Sequence, residues 1–275
     1  MIARSASEIA AGIAGGYFAP ETLDQLAELC TVPLTNPVYL AGGQSIVPAL
    51  RTGKIDTDLL IDLSRLTDLR EIRIVSDVIQ IGAMTNFVEV QRHDITARCE
   101  LLNRALSYVG SHTIRNRATV GGNLAWADPR AELPLALMLY DAKVVTDRRS
   151  LPAAALPVSS FRSALAPREL ILRVDIPLDE SLRPAGFLEL LDRHSIGKAI
   201  VSAGVVLLDD GRIRVGVGGI ADRPVATVLT PAKAAEWIEG LEHHYPAIAD
   251  PFHSSAYRRS MAKLLVRRLF AELGL

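Results

Sequence analysis

The chain has 275 residues, 49% hydrophobic and 22% charged, which suits one large domain or two ordinary ones and argues against disorder. Its formal net charge of −1 argues against nucleic-acid binding, which needs a surplus of Lys and Arg to neutralise phosphates. No run of about 18 apolar residues is available to span a bilayer, and two cysteines, Cys30 and Cys99, are too few for an iron–sulfur cluster or a structural zinc site.

Met1 to Pro20 carries Arg4, Glu8 and a weakly apolar stretch, Ile9 to Ala14, too short and glycine-rich for a signal sequence, so a cytoplasmic protein is expected. Pro20 to Leu29 predicts a helix and Val38 to Ala41 a short strand running into AGGQS. Leu59 to Leu63 predicts a buried strand. Ile72 to Val75 and Val78 to Ile81 predict a hairpin turning at Ser76-Asp77. Phe87 to Gln91 and Glu100 to Val109 read as helices, with Cys30 and Cys99 as small buried thiols. Ala118 to Leu124 predicts a strand opening into a glycine turn. A helix is then expected from Asp128-Pro129, with Asp as N-cap and Pro in the first helical position. Ala142 to Thr146 predicts another strand.

Composition shifts near Leu151, where proline- and alanine-rich runs suggest a crossover between domains. Strands are expected at Leu170 to Ile176, Phe187 to Leu191, Ile200 to Leu208 and Ile213 to Val217, the last two joined by a tight turn at Asp209-Asp210-Gly211. Ser254 to Leu273 predicts an amphipathic helix with Arg258, Arg259, Lys263, Arg267 and Arg268 on its polar positions. The pattern is an α/β half followed by an antiparallel α+β half.

Two glycine motifs carry the chemistry. In Leu40-Ala41-Gly42-Gly43-Gln44-Ser45-Ile46, paired glycines follow a strand and remove the Cβ atoms that would keep a ligand from the backbone. Successive amides there would form an anion-binding nest with the Ser45 hydroxyl as a further donor; the alternative is an ordinary glycine turn. Thr119-Val120-Gly121-Gly122-Asn123 repeats the pattern, and Asp128 and Glu132 follow near an expected helix start. Either carboxylate would cap the helix or accept a hydrogen bond from a sugar hydroxyl. Two such nests would hold the two ends of one extended dinucleotide.

Other patterns lead nowhere. Gly216-Val217-Gly218-Gly219-Ile220-Ala221 fits a Rossmann turn, but Asp222-Arg223-Pro224 interrupts before a helix can start. The histidines show no metal-ligand spacing, and His243-His244 reads as loop. Ser45 and Ser195 lack His and Asp partners. Arg115 and Arg117 would face phosphates or a partner subunit, or else read, as is commoner, as a solvated loop.

AGGQS and TVGGNLAWADPRAELP closely resemble the FAD-binding medium subunits of the xanthine dehydrogenase and carbon monoxide dehydrogenase (molybdenum hydroxylase) family, as do LIDLSRL, IQIGAMTNFVEV, RELILRVDIP and VGGIADRPV. The resemblance implies an α+β fold. An N-terminal FAD-binding domain of the PCMH type, residues 1–165, would comprise two α/β subdomains of about 1–55 and 56–165. A C-terminal domain of antiparallel sheet and helices would span 166–275. It implies that Leu40, Ala41, Gly42, Gly43, Gln44, Ser45 and Ile46, with Thr119, Val120, Gly121, Gly122 and Asn123, hold the FAD diphosphate and its neighbours. Glu132 would meet the cofactor's polar middle, Ile171 would lie against the isoalloxazine, and Val109 falls at a further contact position. Molybdopterin and 2Fe–2S clusters would belong to a large molybdenum subunit and a small iron–sulfur subunit, arranged as a dimer of heterotrimers. The chain would pass electrons on to NAD, oxygen or another acceptor. The rivals are a stand-alone FAD-dependent reductase of related fold and a structural subunit without FAD. The sequence departs from many relatives in having no Lys near Leu188 and in placing Trp126 where a smaller or polar residue is usual. It also has a shorter segment from Phe161 to Ala166.

Overall fold

Three short strands, β1 (Gly16–Phe18), β2 (Pro37–Leu40) and β3 (Leu59–Asp62), begin the computed structural model, which describes residues 16–30, 33–192, 198–245 and 248–275. The stretch before residue 16, most of the segment weighed as a signal sequence, lies outside the described residues, as does Ser195. The three strands form a parallel sheet in the order β1–β3–β2. Parallel neighbours need crossovers, and helices α1 (Leu23–Cys30) and α2 (Ile46–Arg51) lie in the two connections. Leu26 and Leu29 of α1 pack on Leu59 and Ile61 of β3, with Leu63, Leu66 and Leu69 completing this small core.

The second sheet has five antiparallel strands: β4 (Ile72–Val75), β5 (Val78–Gly82), β6 (Lys143–Thr146), β7 (Ser150–Pro152) and, in the middle, a strand that arrives much later in the chain. Ser76 and Asp77 join β4 to β5 with positive φ of 47° and 61°, the two-residue turn whose twist matches a hairpin. Helices α3 (Phe87–Arg92), α4 (Glu100–Tyr108), α5 (Val120–Trp126) and α6 (Glu132–Leu139) follow. Asn86 and Glu89 start α3 with a reciprocal capping box. Cys99 precedes α4 and is fully buried, which pushes its thiol pKa up. Cys30 closes α1, and its side chain lies outside the described residues.

Two expectations fail here. Ala118 to Leu124 is not a strand; Thr119 caps α5 by accepting from the Gly122 amide, and both glycines lie in the helix's first turn. Nor does a helix begin at Asp128-Pro129. The Asp128 carboxylate instead bonds the Arg130 amide and guanidinium in a local turn, and α6 starts at Glu132. Every residue of α6 is buried, as expected of a helix apolar on all sides.

The two-stranded hairpin β8 (Pro157–Ser159) and β9 (Arg162–Ser163) leads to β10 (Ile171–Pro177), which pairs with β5 on one side and β6 on the other. Sequence order groups β10 with the later strands; pairing makes it the centre of the five-stranded sheet. Its buried Ile171, Val174 and Ile176 satisfy the core beneath that sheet, and no local pattern encodes which sheet supplies the partner.

Strands β11 (Ala185–Leu191), β12 (Ala199–Leu207), β13 (Ile213–Gly218) and β14 (Val225–Leu229) form a sequential antiparallel sheet, and α7 (Pro231–His244) and α8 (Ser255–Glu272) pack with it. His243 and His244 end α7 rather than lying in a loop. Arg258 leaves the polar stripe expected of α8: it is 2% exposed, donates to the carbonyls of Ile200 and Gly219, and pairs with Asp250. A helix amphipathic by pattern thus buries one cation because backbone carbonyls at two strand ends need a donor.

The other face of this sheet receives α6. A Cβ at Gly216 would lie 2.7 Å from Leu135 Cδ1, and one at Gly204 2.4 Å from Leu139 Cδ1. The glycines that mimic a nucleotide fingerprint are therefore packing residues, and β13 runs into β14 rather than a helix. Among the described residues no helix is long and apolar enough to cross a membrane, and no cluster of His, Cys, Asp and Glu could hold a metal ion.

Candidate functional site

A cavity of about 390 Å³ opens between the end of the parallel sheet and α5, inside the size range of small-molecule and cofactor sites. On one side stand Tyr39, Ala41, Gly42, Gly43, Gln44, Ser45 and Ile46; on the other Thr119, Gly121, Gly122, Asn123 and Trp126. Val109, Leu165 and Ile171 add apolar surface.

The turn after β2 is built by close approach. A Cβ on Gly42 would sit 1.9 Å from the Arg117 carbonyl oxygen, so the turn rests directly on the backbone that leads into α5. Gly43 follows at φ +72°, a conformation glycine adopts without penalty. The carbonyls of Gly43 and Ser45 accept from Val47 and Ala49 as α2 winds up. The amides of residues 42 to 46 donate to no acceptor among the described residues, and the Ser45 side chain makes no cap hydrogen bond. The turn thus keeps five consecutive donors free on residues that line a cavity, as an anion-binding nest would require.

The second motif does not. Val120 N donates to Thr85 O at 3.1 Å, Gly121 N to Ala83 O at 2.8 Å, Gly122 N to Thr119 Oγ1 at 3.2 Å and Asn123 N to Thr119 O at 3.0 Å. These amides are consumed in seating α5, so the expected second backbone nest is absent. The glycines serve proximity: a Cβ on Gly121 would meet Ala83 Cβ at 2.7 Å, and one on Gly122 would meet Ala41 Cβ at 3.3 Å. Asn123 contributes what the amides do not. It lines the cavity, and its Oδ1 is buried with no donor. A buried acceptor without a partner costs about 1–3 kcal/mol, which a ligand hydroxyl or N–H would recover.

Four sequence-predicted residues stand apart from the cavity lining. Leu40 ends β2 and Val120 is core. Asp128 is occupied by Arg130. Glu132 is 6% exposed and lies beside Glu189 of β11, whose two carboxylate oxygens are buried with no hydrogen-bond partner among the described residues. Burial, and then the neighbouring carboxylates, raise both carboxyls well above the usual range. Along β11, Leu188 and Leu190 pack into the core beneath α8, so strand alternation turns Glu189 the other way, towards α6.

Sequence reasoning missed Glu169, Leu165 and Trp126, all in the cavity wall. Glu169 is 1% exposed, accepts from Arg149 Nε at 2.8 Å, Thr146 Oγ1 at 2.8 Å and the Ala166 amide at 2.7 Å, and its pKa is drawn down to about 2, chiefly by the Arg149 hydrogen bond. It holds the turn before β10 in place. Arg168, at φ +61°, ties the same turn to the parallel sheet through Leu34 O at 2.8 Å and the Tyr39 hydroxyl at 3.2 Å. Its partners lie more than 100 residues away in sequence, so no local signal marks it.

Residues 9–179 match the family described as the FAD binding domain in molybdopterin dehydrogenase. The chain belongs to this family. The match ends just past β10, so the family's FAD-binding unit takes in the whole five-stranded sheet. Family relatives extend over the remainder as well. The chain is 32% identical over 257 residues to the 6-hydroxypseudooxynicotine dehydrogenase complex subunit alpha of Paenarthrobacter nicotinovorans, with 85% of each chain covered. It is 25% identical to the carbon monoxide dehydrogenase medium chain of Hydrogenophaga pseudoflava, covering 92% of this chain and 94% of that one. A chain of quinoline 2-oxidoreductase from Pseudomonas putida 86 superposes with a TM-score of 0.81 at 26% identity, covering 94% of this chain and 95% of that one. The protein is an FAD-binding oxidoreductase subunit of the molybdenum hydroxylase family, with the α+β architecture the resemblance implied.

The cavity fits the family's cofactor on its own chemistry. The nest at 42–46 suits a diphosphate, the orphaned Asn123 Oδ1 suits a hydroxyl or ring N–H, and the aliphatic wall of Leu165 and Ile171 suits a flat ring.

Proposed function

We propose that the turn from Ala41 to Ile46 grips the FAD diphosphate through its free amides, while Thr119, Gly121, Gly122 and Asn123 form the opposite wall and Ile171 and Val109 pack against the nucleotide. The observation that carries this is the run of five unpaired amides on residues lining a cavity, together with a further lining residue, Asn123, whose Oδ1 also lacks a partner. Leu40 and Val120 support these walls from behind. Asp128 acts through Arg130 and Glu132 through Glu189. Bound FAD supplies one- and two-electron redox chemistry. This chain's residues bind it, orient it and keep water from its apolar face; none need act as acid or base.

The chain would take electrons from the iron–sulfur clusters of a small partner subunit, fed by a large molybdenum-cofactor subunit, and deliver them to NAD, oxygen or another acceptor. Names such as "complex subunit alpha" and "medium chain" among its relatives support a multi-subunit assembly, which we take to be a cytoplasmic dimer of heterotrimers.

Asn123→Leu tests the site. Removing a buried acceptor without a donor leaves the flavin-free chain as stable as before or more so, while FAD affinity falls roughly tenfold, the equivalent of one lost hydrogen bond. Thermal unfolding and an FAD titration measure the two effects. Equal affinity in both proteins would remove Asn123 from the cofactor's contacts.

A further inference from the structure

Trp126 is the last residue of α5 and is half-buried in the cavity wall. Phe161, at the tip of the β8–β9 hairpin, meets it edge-to-face, with ring centroids 5.9 Å apart and planes at 69°. The hairpin tip is held under strain. Phe161 has φ +58°, which a bulky L-residue adopts only at a cost, and remains 55% exposed. Its amide donates at 2.8 Å to the carbonyl of Ala127, itself left-handed at φ +50°. Ser160 Oγ donates to Asp222 O at 3.2 Å and Arg223 to Val158 O at 2.9 Å, so the second half of the chain pins the same tip. The two-residue turn accounts for the positive φ, but such a turn favours Gly or Asn, so it does not explain a bulky, exposed aromatic at this position.

We infer that Trp126, backed by Phe161, stacks on the isoalloxazine of bound FAD and forms the aromatic wall of the flavin ring's compartment. The inference rests on the FAD site proposed above. Trp126 lies seven positions after Thr119, about 10 Å along α5. The nest lies at the Thr119 end, where Gly42 touches Arg117 and Ala41 faces Gly122. A diphosphate held there places a ring system towards the Trp126 end, where α5 packs against β9 and β10 and the wall is Leu165 and Ile171. An electron-rich indole face suits an electron-poor flavin ring, and offset or edge-to-face neighbours strengthen aromatic packing.

The chain has two tryptophans, and the other, Trp237, is buried in the core beneath the four-stranded sheet. Indoles stacked on flavin quench its emission. In FAD-loaded full-length chain, Trp126→Phe is expected to raise bound-flavin fluorescence several-fold with FAD stoichiometry unchanged. In a Trp237→Phe background, FAD should quench most of the Trp126 emission, whereas ADP, which has the adenosine and diphosphate but no flavin, should leave it unaltered. Phe161→Gly, suited to the positive φ, should raise the melting temperature of the flavin-free chain yet partly restore flavin emission. Full FAD loading with identical flavin emission in wild type and Trp126→Phe would overturn the inference, as would quenching by ADP equal to that by FAD. Failure of the wild-type chain to bind FAD at all would instead sink the cofactor site itself.

Discussion

Gly42→Ala is expected to unfold the cavity side of the protein, with a loss well beyond an ordinary glycine substitution. The added Cβ would lie 1.9 Å from the Arg117 carbonyl oxygen, 2.7 Å from its carbon and 3.0 Å from the Ala118 Cα. All three are backbone, so no side chain can rotate away, and relief requires parting the turn from the chain entering α5. Overpacking a rigid contact costs about 1–3 kcal/mol and more when backbone must move. At roughly 2–4 °C per kcal/mol for a chain of this size, the melting temperature should fall by about 5–10 °C. Gly53→Ala is the control. Gly53, unlike Gly42, has positive φ, at +67°, but nothing lies within 4 Å of its would-be Cβ, so only the backbone cost of about 1 kcal/mol remains. Equal destabilisation by the two substitutions would show that the turn does not rest on the α5 approach. Double replacement of Gly42-Gly43 is accordingly a poor probe of FAD binding, since it disturbs the fold first.

Glu189→Gln should flatten the pH dependence of stability. Both oxygens of Glu189 are buried with no hydrogen-bond partner among the described residues, beside the Glu132 carboxyl, itself 6% exposed. Asp128 adds further negative charge, and the nearby cation, Arg130, is engaged by Asp128. Two buried carboxyls in contact cannot both ionise cheaply, so the folded chain retains protons that the unfolded chain releases near 4.5. The sign follows from linkage. Groups whose folded-state pKa is raised stabilise fully below the unfolded value, and that stabilisation is lost as pH rises towards the folded values. Each such group contributes at most about 1.4 kcal/mol per pH unit in that window. The wild-type melting temperature should therefore decline from about pH 5 to about pH 8, and Glu189→Gln, a neutral isostere that can donate to Glu132, should remove most of the decline and be the more stable protein at the upper end. An unchanged slope in the variant would mean the pair is ionised or solvated.

The local devices were legible in the sequence. Ser76-Asp77 turns a hairpin, Asp209-Asp210-Gly211 another with Gly211 at φ +78°, and Ser254 caps the last helix by accepting from Tyr257 N. The glycine turn at Ala41 to Ile46 was readable for the same reason: paired glycines after a strand constrain their own backbone. Thr119 to Asn123 misled because Thr-Val with two glycines carries strand and turn signals at once. The stronger signal was Thr119 as an N-cap ahead of Asn-Leu-Ala-Trp, and contact with Ala83 and Thr85 decided in its favour. What stayed invisible is non-local. Glu132 meets Glu189, Arg258 serves carbonyls at two strand ends, and β10 finds β5 and β6, in each case because the fold brings together partners that no spacing rule links.

The most direct measurement is a structure of the flavin-loaded chain, alone or with its partners. The diphosphate oxygens should lie within hydrogen-bond reach of the amides of Gly42 to Ile46, with Asn123 Oδ1 newly partnered. A flavin whose diphosphate lies elsewhere, while those five amides face empty space or bond to protein, would contradict it.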